Sequence, residues 1–189
     1  MSASEGFASI YREALPVLLI SLVGSLFSGL VLEIVISQAD TFPGLLVAVP
    51  VFLATRGNVY GALGGRIASG LHQGLIEPRF QRDERLLNAV LASFTIAISM
   101  SIVIATLSWA ALALLGWESA SLPEFVAILL VAGVLTSVVL ILGLLVVIFA
   151  GYKRGYDPDN LVGPIVTTLG DVFGMSFLLL ATILVEAIG

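Results

Sequence analysis

Apolar residues gather in five long runs separated by short polar stretches. A run of about 20 apolar residues, rising ~1.5 Å per residue, crosses the ~30 Å hydrocarbon core of a bilayer as a helix. The pattern predicts five transmembrane helices at about Leu15 to Ile36, Pro43 to Leu75, Leu86 to Leu115, Pro123 to Ala150 and Leu161 to Ile188. The expected fold class is an all-α integral membrane protein with one transmembrane domain over residues 1–189 and no cytosolic regulatory domain. The second segment is long and interrupted by Thr55-Arg56-Gly57-Asn58, so a break is expected near Gly57-Asn58.

Orientation follows from the basic residues, which concentrate in cytoplasmic loops. Arg12, Arg79, Arg82, Arg85, Lys153 and Arg154 all flank segment ends on one side, and the stretches 37–42 and 116–122 contain no Lys or Arg. The N-terminus is therefore expected inside and the C-terminus outside. Asp40, Glu118, Glu124 and Glu186 fall at the external ends, where a ring of carboxylates would concentrate cations. The first sixteen residues contain Glu5 and Glu13 and lack a basic start, so the first run is read as a retained span of a multi-pass cell-membrane protein.

Composition narrows the chemistry. Only 11% of residues are charged and 59% are hydrophobic, against roughly 25% charged in soluble domains. There is no cysteine and a single histidine, so disulfides, thiolate metal sites and histidine-based catalysis lose their material. No nucleotide-binding loop or hydrolase motif is present, and neither an enzyme nor a nucleic-acid partner is expected.

Against this background Asp171 stands out. It lies inside the last apolar run, where an ionisable group costs about 2.5–3.5 kcal/mol to insert and marks a watery cavity, a partner or a cation. Thr167, Pro164 and Asn160 precede it by four, seven and eleven residues, on one helical face. These are hard oxygen donors, suited to Mg²⁺ or Ca²⁺ rather than to zinc or copper. The second segment holds seven glycines, two prolines and two arginines between Pro43 and Gly74, with GxxxG spacing at Gly61–Gly65 and Gly70–Gly74. Such spacing serves close helix packing; a bend at Gly57-Asn58 would also expose carbonyls and the Asn58 amide to a pore. Counted in from the segment ends at ~1.5 Å per residue, Asp171 and Asn58 both fall in the middle third of the membrane. Arg56 and Arg66 offer an alternative, in which either neutralises Asp171 as an internal ion pair. Glu33 is open to cation binding or arginine pairing, and His72 reads as an interfacial residue.

The segment PVFLATRGNVYGALGGRIASGLHQG resembles the second transmembrane helix of MgtE-type magnesium transporters, nearer the archaeal and eukaryotic solute-carrier branch than the bacterial one. The DPDN…P…TTLGD run from Asp157 to Asp171 resembles the last helix of that family. The resemblance implies transport of Mg²⁺ or other divalent cations through a pore lined by the second and fifth helices of two bundles. It implies that Asp171 holds the hydrated ion, that Asn58 is pore-lining, with Thr167 and Asn160 as polar lining, and that a chain with one bundle works as a homodimer. Two other readings stay open. One is a non-transporting membrane assembly subunit with Asp171 in an internal ion pair, and the other is an organic-anion carrier using Arg56 and Arg66.

Overall fold

The structure is a computed structural model that describes residues 3–37 and 40–188, with side-chain environments from residue 11 onward, Glu13 excepted. Glu5 and Glu13 thus lie outside the described side chains. Five helices follow in order: α1 (Ala3–Ser37), α2 (Leu45–His72), α3 (Glu84–Leu115), α4 (Leu122–Lys153) and α5 (Pro158–Glu186). All five are long and apolar enough to cross a membrane, α1 over Ala14–Ser37. No strand occurs among the described residues.

Local chemistry explains the boundaries. Asp83 caps α3, its Oδ1 accepting from the N–H groups of Arg85 at 2.8 Å and Leu86 at 3.1 Å. Ser121 and Glu124 form a reciprocal capping box at the start of α4. Glu124 is thereby engaged with the Ser121 backbone N–H at 2.7 Å, which sets it apart from the other acidic residues at that end. Asp157 caps α5 with Pro158 at its first position, where a missing N–H is harmless. Gly116 ends α3 at φ 68°, a left-handed conformation that side chains disfavour.

α4 is apolar around its whole circumference and occupies the centre, against α3, α5 and α2. α5 packs on α4, α1 and α2, whereas α1 packs closely on α5 alone. The outer face of α1, including Leu18, Ile20, Val23, Leu26 and Leu30, is correspondingly exposed. Two core clusters divide the bundle along its length, one around Phe52, Phe125 and Leu178 and the other around Tyr60, Leu140 and Ile148.

The expected break in α2 does not occur: the helix runs uninterrupted from Leu45 to His72. Pro50 lies only six positions in, so its missing N–H affects one bond near the helix start. The glycines serve contact rather than bending. At Gly64 a side chain would overlap Val162 of α5, and a Cβ on Gly174 would come within 2.8 Å of Leu53. Gly61 and Gly65, the GxxxG pair, face open space instead. The packing residue is the one between them, on the neighbouring face.

Candidate cation site

Asp171 lies in mid-α5, half-buried on the side toward α1. Its carboxylate Oδ2 accepts a hydrogen bond from Ser25 Oγ at 3.0 Å, and its backbone carbonyl accepts one from Ser28 Oγ at 2.9 Å. A turn earlier, the Thr168 and Ser21 hydroxyls meet at 2.6 Å, and Thr168 Oγ1 also donates to Pro164 O at 2.7 Å. Ser21, Ser25 and Ser28 stand at four- and three-residue spacing, forming one stripe of α1 that meets the Pro164–Thr168–Asp171 edge of α5. Their spacing was the available signal in the sequence, but three serines in an apolar span also read as packing.

Of the face read from the sequence, Thr167 is exposed and Asn160, Pro164 and Asp171 are partly so, with Gly163 exposed beside them. Thr167 Oγ1 is tied back to Gly163 O at 3.0 Å, a bond that leaves the hydroxyl oxygen able to accept a further donor. Thr168 and Val172 turn toward Gly24 of α1, while Val162 and Gly174 turn toward α2. The Asn160–Gly163–Thr167–Asp171 face lies between these two contact sectors. α1 and α2 thus leave this strip of α5 partly uncovered.

Asn58 lies on the exposed side of α2, with Ala54 and Ala62 one turn to either side. The antiparallel register set by the Leu53–Gly174 and Gly64–Val162 contacts puts Asn58 level with about residue 168, within a turn of Asp171. Depth agrees with expectation, but contact does not: Asn58 has no hydrogen-bond partner among the described residues, and the carboxylate's partner is Ser25. Within one chain the two are level but not paired, because helical twist aims Asn58 outward from the bundle.

Neither candidate arginine pairs with Asp171 within the chain. Arg56 is fully buried, two residues from Asn58 and therefore on the opposite face of α2. Its Nη1 donates to Ala97 O at 3.2 Å and Ser137 Oγ at 3.4 Å, and its Nη2 to Ser101 Oγ. The guanidinium carbon lies 4.5 Å from the Phe52 ring centroid, a cation–π contact. Every partner of this cation is neutral. Arg66 is exposed and lines a cleft beside α3. Among the described residues neither arginine forms a salt bridge, so the internal ion pair with Asp171 is overturned. Glu33 is exposed on α1.

At the end of the bundle that carries the basic loops, His72 Nε2 stands 3.4 Å from Asp157 Oδ1 and 3.8 Å from Asp159 Oδ2. All three residues are exposed. This cluster links the end of α2 to the start of α5, next to Asn160. Sequence reading left it unassembled, since His72 and Asp157 are far apart along the chain.

Comparison with known proteins finds relatives of this chain. Rat solute carrier family 41 member 3 is 32% identical over 178 residues, covering 88% of this chain and 37% of that protein. Chicken solute carrier family 41 member 2 is 24% identical over 168 residues, covering 82% of this chain and 28% of the relative. The chain thus spans about a third of the length of the curated relatives it matches. No solved structure matches. The family model for MgtE, described as a divalent cation transporter, matches residues 49–181, which takes in α2 through most of α5 with Asn58 and Asp171. With five span-length helices in one all-helical bundle and this match over most of its length, the chain belongs to the MgtE divalent cation transporter family.

Proposed function

We propose that the chain is a Mg²⁺-conducting unit in which two copies face each other across a groove between α1 and α2, with α5 as its floor. The observation that carries this reading is Asp171. It is a carboxylate near the middle of a spanning helix, bonded to a serine hydroxyl rather than to an arginine, on a face that is polar and partly open. A carboxylate at that depth without a basic partner is stabilised by an incoming cation. One such group leaves a divalent ion half neutralised, and a two-fold axis along the groove supplies a second. Mg²⁺ holds its inner waters tightly, so two carboxylates with Thr167, Asn160 and Asn58 would grip a hydrated ion through its waters. The outward aim of Asn58, which leaves it unpartnered within the chain, fits a position facing the other copy.

A pairing of two bundles is compatible with the length of the relatives. The matched region occupies 37% and 28% of two relatives, so each is long enough to hold two such bundles in one polypeptide. With the basic loops in the cytoplasm, an inside-negative potential favours entry by ~2.3 kcal/mol per charge per 100 mV. The assembly-subunit alternative loses its physical basis with the Asp171–arginine pair. The test is Mg²⁺ flux into proteoliposomes. Asp171→Ala should reduce flux to the level of empty vesicles while the protein still purifies as the wild-type oligomer. Flux equal to wild type would remove Asp171 from the pathway.

A further inference from the structure

A cleft of about 620 Å³ opens between α2 and the start of α3, at the end of the bundle carrying the basic loops. Arg66 and Arg85 both line it, with Ser69 and Gln73 as polar neighbours and Leu75 and Ile76 as apolar ones. No carboxylate lines it, and neither arginine has a salt bridge among the described residues. Each arginine carries its own electrostatic problem. Arg66 lies within the spanning segment of α2, six residues before the helix ends, where an unpaired cation is costly. Arg85 lies in the first turn of α3, where the helix dipole disfavours positive charge. An anion in the cleft relieves both at once.

We propose that this cleft binds the phosphate of an anionic membrane lipid, one lipid per chain. The two guanidiniums hold the phosphodiester, Ser69 and Gln73 reach the headgroup, and an acyl chain runs toward the membrane interior past Ala62 and Ala89. A lipid is favoured over free phosphate because the membrane-interior side of the cleft is apolar, lined by Ala62, Ile67 and Ala89, and Leu87 and Leu91 of the adjoining α3 are exposed. Basic pockets between transmembrane helices are suited to such headgroups. Neither Asp171 nor Asn58 lines the cleft, and the proposal holds whichever ion, if any, the groove carries.

The test is native mass spectrometry of the full chain in detergent, titrated with phosphatidylglycerol or phosphatidylcholine. Wild type should retain one phosphatidylglycerol per chain and discriminate against phosphatidylcholine. Removing one arginine by Arg85→Gln should weaken retention about 5-fold, and the Arg66→Gln/Arg85→Gln pair roughly 30-fold. Arg66→Lys/Arg85→Lys should keep most of it. Arg79→Gln/Arg82→Gln, which removes two charges at the same end but outside the cleft, should leave it unchanged. Equal loss in the two glutamine pairs, or equal retention of both lipids by wild type, would overturn the proposal. So would displacement of the lipid by inorganic phosphate at comparable concentration, which would make this a site for soluble anions. Melting of each variant in lipid-free detergent shows whether it is folded; if the glutamine pair is not, Arg85→Gln decides alone, and undiminished retention there counts against the site.

Discussion

Arg56 and Asp171 are both charged residues near the middle of the bundle, and their surroundings are opposite. Arg56 is sealed, at 0% exposure, among an aromatic ring, a carbonyl and two serine hydroxyls from three helices. Asp171 lies at the margin, half-buried, with one hydroxyl on its carboxylate and an open polar face beside it. A charge whose surroundings already enclose it serves the fold. A charge left partly unsatisfied at the edge of a groove has room for something that arrives. In a membrane the difference is sharp, because water cannot quietly compensate for a missing partner.

The contrast predicts that the two residues fail in different assays. The largest effect is the loss of flux in Asp171→Ala, with thermal melting in detergent close to wild type. If melting collapsed together with flux, Asp171 would belong with Arg56 as a structural charge. Next comes Arg56→Ala, which empties a sealed volume and should cost about 2–5 kcal/mol, as other large-to-small core changes do. Arg56→Met should cost much less, because an apolar isostere refills the space, and Ser101 and Ser137 keep their own bonds to Ala97 O and Gly133 O. Unfolding experiments in mixed micelles would order the three proteins; a Met variant as weak as the Ala variant would mean that the charge itself is indispensable.

Smaller effects sharpen the boundary between the two environments. Gly174→Val forces a side chain against Leu53 and should destabilise by about 1–3 kcal/mol through overpacking, with flux per folded molecule also reduced. Ser25→Ala is the mildest. It removes one hydrogen bond to Asp171 at a partly exposed position and should shift the Mg²⁺ concentration for half-maximal flux while leaving the maximum near wild type. A Ser25→Ala protein indistinguishable from wild type in that concentration would show that the serine does not orient the carboxylate.

The parts that were legible in the sequence were those governed by periodicity along one helix. Five apolar runs became five helices, and Asn160, Thr167 and Asp171 fell on one face because 3.6 residues per turn leaves little choice. What escaped depended on other helices. Arg-Gly-Asn in α2 resembles a helix break because a cation in mid-membrane looks intolerable, yet α3 and α4 supply neutral acceptors and the helix continues. The same twist that buries Arg56 turns Asn58 outward, so their closeness along the chain concealed opposite destinations. Ser21, Ser25 and Ser28 acquire meaning only once α1 is seen lying on α5.

The glycine contacts have a mechanical consequence. Gly64 against Val162 and Leu53 against Gly174 join α2 to α5 on either side of the Asp171 level, about 18 Å apart along α5. They act as two rivets through adjoining plates: sliding or rolling one helix past the other would drive a side chain into backbone at one of them. The two contacts hold α2 and α5 in one register. Any opening and closing of the groove falls to α1, which packs closely on α5 alone, or to the seam where a second copy would meet it.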